Sequence, residues 1–305
     1  MISDGPIRSA DAPIAGWPMT APLIRPMTSA DVDAATALVL RGEFGDRRTF
    51  FQFALDHPDA DPLVGVAGTE IVATGVGTRN GPAGWVGAIF VAPERRREGL
   101  GRAISEAVCE HLEARGARTL VLMASMAGRP VYEKLGFRVA TRYHVVEAAG
   151  TQGNDVGMDA VARPEDGSVR PFDPARDLEA AIELDRSATG EDRASLLRRF
   201  ASTPGSLADR TAEGLAGFLV RPTWHGAAIV ATTPASALRL LDARRRATPP
   251  DHRIRAGLMT ENEAGRAAFD AAGWTTAWTG TRMERGPALR MRPDWLFGQF
   301  GGAIG

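Results

Sequence analysis

The sequence predicts an α/β protein with mixed, largely antiparallel sheets (an α+β arrangement), built from two tandem copies of which the second is degenerate. Three observations predict it. Ala127 to Phe137 lines up with Ala264 to Trp274 at an offset of 137 residues, and Ile24-Arg25-Pro26 parallels Val169-Arg170-Pro171 near each start. Apolar runs of strand length alternate with runs of helical period, as expected of helices packed on both faces of a sheet. A glycine-bearing turn, Arg96-Arg97-Glu98-Gly99-Leu100-Gly101, joins a strand-like run to an amphipathic helix.

The first copy divides as follows. A strand is expected over 23–26, a helix over 29–40 and a second helix over 48–57. Strands follow at 62–67, 71–78 and 84–91. After the glycine turn, Ile104, Ala107, Val108 and Leu112 recur at helical spacing, and Gly116 suits a left-handed helix end. A strand at 119–124, a short helix to Leu135 and strands around 137–147 complete the copy. The chain then divides into a disordered lead-in over 1–20, a first domain over 21–149, a linker rich in small and acidic residues over 150–167, and a second domain over 168–305.

The turn at 96–101 has a chemical reading of its own. The first N–H groups of a helix lack intrahelical partners, and the helix dipole adds positive character there. Glycines at 99 and 101 let the main chain approach a phosphate closely. Such a turn is an anion site suited to pyrophosphate.

The Arg-x-x-Gly-x-Gly spacing resembles the acyl-coenzyme A loop of the GNAT (GCN5-related N-acetyltransferase) superfamily. Val91-Ala92-Pro93 before it fits, and so does Tyr132-Glu133-Lys134-Leu135-Gly136-Phe137 after it. The resemblance implies that acetyl-CoA is the co-substrate, with no metal. It implies that Ile89, Phe90 and Val91 pair with the pantetheine arm through their main chain. It further implies that Arg96, Arg97, Glu98, Gly99, Leu100, Gly101 and Arg102 grip the pyrophosphate. Ser125 stands where relatives have a cofactor-touching asparagine, and Tyr132 stands where the superfamily often carries its general acid. Relatives often place a glutamate base on the strand before the tyrosine helix; here Met123 stands there. Glu43 and Asp46 are the substitute candidates.

The second copy keeps the alternation but lacks the loop: Ala231-Thr232-Thr233-Pro234 leads straight into a helix over 235–244. Phe269 stands opposite Tyr132 in the repeat and has no hydroxyl. The pattern of this half resembles the partner domain of YitH-type tandem acetyltransferases, which implies a domain that shapes the acceptor pocket. Phe44, Phe50, Phe51 and Phe53 are candidates for an apolar pocket wall or plain core. Trp295, Phe297 and Phe300 are candidates for a plug in the interdomain groove or a docked terminus.

The expected activity is N-acetyl transfer to a primary amine of a small molecule by direct attack. Protein or peptide acetylation and a non-catalytic acyl-CoA sensor are the alternatives, and a transfer like that of mycothiol synthase is another tandem-domain reading. Apolar residues make up 44% of the chain, enough for a core, and the formal net charge of -1 gives no field that would recruit nucleic acid. No apolar run reaches membrane-spanning length, so no membrane partner is expected. Cys109 is the single cysteine, so no internal disulfide is expected, and a cytoplasmic setting is the default. A homodimer is compatible with the sequence. His57, His111, His144, His225 and His252 show no metal-ligand spacing. Arg244-Arg245-Arg246 ends a helix, where cations suit the dipole.

Overall fold

A computed structural model of the chain describes residues 22–42, 45–152 and 169–305. The lead-in, most of the linker, Glu43 and Phe44 lie outside these residues.

The first half opens with β1 (Leu23–Pro26) and α1 (Val32–Leu40). Asp31 fixes the entry to α1. Its carboxylate accepts from the Thr28 N–H and hydroxyl, both at 2.7 Å, and from the Arg25 guanidinium at 2.7 and 2.8 Å. Those contacts hold the Asp31 carboxyl well below the usual carboxylate range. In α2 (Arg48–Asp56) the Asp46 carboxylate accepts from the Arg48 N–H at 2.8 Å. An antiparallel meander follows: β2 (Ala60–Ala67), β3 (Glu70–Asn80) and β4 (Ala83–Val91).

Helix α3 (Leu100–Ala114) lies across this sheet. Its Ile104, Val108 and Leu112 are fully buried, and they fill the space above Gly75 and Gly77 of β3, where any side chain would collide with them. Cys109, beside them, is also buried, and desolvation pushes its thiol up to about 12. It is an inert core thiol. β5 (Thr119–Ala124), α4 (Arg129–Lys134) and β6 (Arg138–Ala149) end this half.

The second half repeats the order: β7 (Val169–Pro171), α5 (Pro174–Thr189), α6 (Ala194–Phe200), β8 (Leu207–Thr211), β9 (Gly214–Val220) and β10 (Ala228–Ala231). Then come α7 (Pro234–Arg246), β11 (Arg253–Met259), α8 (Glu263–Ala271), β12 (Thr275–Arg285) and β13 (Leu296–Gly298). The repeated segments end their helices alike. Gly136 (φ +84) and Gly273 (φ +77) take the left-handed position. The Phe137 N–H reaches the Tyr132 carbonyl and the Trp274 N–H the Phe269 carbonyl, each at 3.0 Å. The ring pairs Tyr132–Phe137 and Phe269–Trp274 supply the apolar contact that accompanies this cap.

The halves do not keep separate sheets. One sheet of eight strands runs β1-β2-β3-β4-β5-β12-β6-β11, and a second of five runs β13-β10-β9-β8-β7. Strand β12 of the second half lies between β5 and β6 of the first, antiparallel to both, and β6 in turn pairs with β11. The order β5-β12-β6-β11 is symmetric under exchange of the halves. Each half therefore gives up its last long strand to the other.

Buried polar contacts fix the halves further. Glu191 accepts from Asn80 Nδ2 and Trp85 Nε1, both at 2.9 Å. Arg282 of β12, almost fully buried, pairs with Glu284 at 2.9 Å and lies over the Trp85 ring at 5.1 Å. Phe53, Phe200 and Trp224 form an aromatic cluster across the boundary, with ring centres 5.0 to 5.3 Å apart.

Candidate active site

The site grows from a fork in the eight-stranded sheet. β4 and β5 run parallel and pair only over Ala83–Trp85 and Thr119–Val121. Beyond that point the strands part. On its other side, β4 carries a bulge: Thr74 faces Phe90 and Val76 faces Gly87, so Ala88 and Ile89 together oppose Gly75. Ala88 sits at φ +50, a conformation few non-glycine residues adopt, and the Thr74 hydroxyl holds its carbonyl at 2.9 Å. Bulges of this kind remove main-chain groups from the ladder and re-aim them, often beside functional sites.

At the far end of β4 lies the 96–101 turn. Gly99 is left-handed (φ +84), and so is Arg97 (φ +69), a strained position for arginine. The N–H groups of Arg97, Glu98 and Gly99 find no acceptor among the described residues. Leu100, Gly101 and Arg102 form the first turn of α3, whose first i to i−4 bond from beyond that turn runs from Ala103 to Gly99 at 3.1 Å. The side chains are turned to other uses. Leu100 is buried, Glu98 accepts from Arg95 at 2.8 Å, Arg102 lies 3.8 Å from Glu106, and Arg96 lies over the Phe90 ring at 5.8 Å. This loop offers its main chain, which fits a pyrophosphate. Among the described residues no side chain caps the helix in its place.

The fork opens on a cavity of about 310 Å³. Of the residues expected to contact cofactor, Ile89, Phe90, Ser125 and Tyr132 line it; Val91 and the 96–102 turn do not. The Ser125 hydroxyl also accepts from the Gly128 N–H at 3.1 Å and so helps start α4. Met123 lines the cavity as well. Burial pushes the Tyr132 phenol up to about 12, opposed by a hydrogen bond with Ser105. The Ser105 hydroxyl donates to the Gly101 carbonyl at 2.7 Å, which leaves its lone pairs for the phenol. Asp46 is exposed and spent on the start of α2.

Several lining residues escaped the sequence: Arg47, Trp224, His225, Trp278 and the tail residues Gly301–Ile304. The tail reaches the fork because Gly87 has no side chain; a Cβ there would collide with Ala303. The bulky tail residues go elsewhere. Phe297 is buried and stacks on Phe269 at 5.9 Å, Phe300 packs on Phe200 at 5.8 Å, and Trp295 carries Arg292 at 3.5 Å.

The equivalent fork in the second half is filled from within. β13 pairs antiparallel with β10, on the edge where a cofactor arm would lie, and Asn262 holds the Leu296 carbonyl at 3.4 Å. The start of α7 is satisfied by the Thr233 hydroxyl, and Asp209, fully buried, receives the Ser236 hydroxyl at 2.5 Å and Arg239 at 2.6 Å. A carboxylate thus stands near the helix start that in the first half lies open. No cluster of metal-binding side chains occurs among the described residues, and no described helix is long and apolar enough to cross a membrane.

A forked sheet with a bulged strand, an open glycine turn before a helix and a tyrosine helix is the arrangement of an acyltransferase fold. Residues 28–137 match the acetyltransferase (GNAT) family, and residues 181–298 match an acetyltransferase (GNAT) domain. The chain belongs to the GNAT acetyltransferase family and carries its domain twice.

Among solved structures, it is similar to a candidate acetyltransferase from Pyrococcus horikoshii (TM-score 0.78, 19% identity, 97% of this chain and 100% of that one). It is similar also to a GCN5-related N-acetyltransferase from Sphaerobacter thermophilus (TM-score 0.63, 18% identity, 90% and 99%). Among curated relatives, a mycothiol acetyltransferase of Thermobispora bispora is 41% identical over 81 residues, 26% of this chain and 27% of the relative. A glucosamine 6-phosphate N-acetyltransferase of Trypanosoma brucei brucei is 39% identical over 66 residues, 21% and 45%. The matched stretches span from about a quarter to under half the length of these curated relatives.

Proposed function

We propose that the chain transfers the acetyl group of acetyl-CoA to a primary amine of a small molecule by direct attack, at the fork of the first half. The observation that carries this reading is the fork itself. An open phosphate turn lies at one end, and a cavity walled by Tyr132 lies at the other. When bound, acetyl-CoA supplies the thioester. The unpartnered amides of 97–99 would hold its pyrophosphate, and the main chain of Ile89 to Val91, beyond the point where β5 leaves β4, would polarise the thioester carbonyl.

The amine nitrogen forms its new bond to the carbonyl carbon while the carbon–sulfur bond breaks. Tyr132 would give its proton to the departing thiolate. The proton that the amine loses needs an acceptor, and no carboxylate lines the cavity among the described residues. Arg47 cannot accept a proton; among the described lining residues His225 would take it, and Glu43, outside the described residues, is the other candidate. Residues of the second half close over the site, which favours a small acceptor over a peptide.

The test is free-thiol release from acetyl-CoA with amino acids, polyamines, aminoglycosides and short peptides. Stimulation by one class of small amine is the expected result. Stimulation by peptides alone would overturn the acceptor class, and tight acetyl-CoA binding with no stimulation would make the chain a sensor.

A further inference from the structure

The cavity is one-sided in charge. Its described lining holds no aspartate or glutamate, while Arg47 and His225 both face it. Among the described lining residues a polycationic acceptor would find no carboxylate to pair with and a like charge to meet.

Arg47 stands in the turn before α2, where its carbonyl accepts from the Phe51 N–H at 2.8 Å. Its guanidinium is only partly exposed and makes no hydrogen bond or ion pair with a described residue. Neighbouring arginines do pair, Arg41 with Glu94 and Arg48 with Asp33. Burial lowers the pKa of Arg47, as expected of a cation that has given up hydration. Around it the wall is aromatic: Phe50 and Trp224 meet edge to face at 5.5 Å, and Trp278 lies on the same cavity.

We propose that the acceptor is an amine carrying its own anionic group, a carboxylate or a phosphate, which Arg47 receives while Phe50 and Trp224 cover its carbon frame. The proposal rests on the amine-acetyltransferase reading and names the substrate class of that site. A guanidinium matches either anion with two parallel N–H donors.

The full chain would be tested with acceptor pairs that differ in the anion. Phenylalanine set against 2-phenylethylamine probes a carboxylate. Glucosamine 6-phosphate set against glucosamine probes a phosphate, and spermidine supplies the polycation. Two readouts are taken: kcat/KM for thiol release, and quenching of tryptophan fluorescence, since Trp224 and Trp278 line the cavity.

The expected result is a preference of about tenfold or more for the anionic member of one pair, the size of one charge-assisted hydrogen bond. Which pair responds tells carboxylate from phosphate. Arg47→Gln should erase the preference and Arg47→Lys should keep part of it. Preference for the neutral members or for spermidine overturns the proposal, as does a preference unchanged in Arg47→Gln or no anion binding by either readout. Arg47-dependent quenching by the anionic probes without thiol release would retain the anion site and sink the transferase reading.

Discussion

In the proposed reaction Tyr132 would give a proton to the departing thiolate and His225 would take one from the amine. A phenol pushed up to about 12 stays neutral through the working range, so its ionisation should not lower turnover below about pH 10. Tyr132→Phe should cut kcat about a hundredfold or more while leaving acetyl-CoA affinity unchanged. His225→Gln should cut kcat about a hundredfold with acetyl-CoA affinity unchanged. Stopped assays across the pH range check both. Wild-type turnover in Tyr132→Phe would return the ring to its packing role against Phe137. Tyr132 was legible because its helix carries a motif and an internal copy. Arg47, Trp224 and His225 were not: each stands in an irregular segment, where no period announces which side chains converge.

At the scale of elements, the contrast between α3 and α7 matters most. Both follow a strand at a fork, yet one leaves its first amides open and the other meets a serine-bound carboxylate. Gly99→Asp would place a Cβ at φ +84 and a carboxylate beside open amides. Strain alone is worth about 1–3 kcal/mol. Calorimetry should show acetyl-CoA affinity reduced at least about tenfold, and more than in Gly99→Ala, which has the strain without the charge. Equal affinity in all three proteins would remove the loop from the site. This contrast could be read from the sequence, since Arg-x-x-Gly-x-Gly has no counterpart before residue 235. The seating of β13 in the second fork could not. Three residues, Leu296–Gly298, carry no strand pattern of their own, and only the vacant edge of β10 makes them one.

The whole molecule depends on the exchange of β6 and β12. The repeat at an offset of 137 residues announced two copies but not the exchange, because either strand presents an acceptable partner to either sheet. Produced separately, residues 1–152 and 169–305 would leave β5 and β11 with bare edges, which invite aggregation. Produced together, they should form a soluble one-to-one complex that unfolds in a single transition. A soluble monomer of either half, unfolding cooperatively by itself, would contradict this. The exchange also shapes what a genetic screen would find. Truncating a fully buried aromatic such as Phe269 or Phe297 costs about 3–5 kcal/mol, a large share of the stability of an ordinary domain. Since β12 completes the sheet that carries the fork, such a lesion lowers the amount of working protein without touching an atom of the site. Loss-of-function alleles should therefore fall across the core of the second half as readily as on Tyr132, and a map of them would make the half whose fork is filled look as essential as the half whose fork is open.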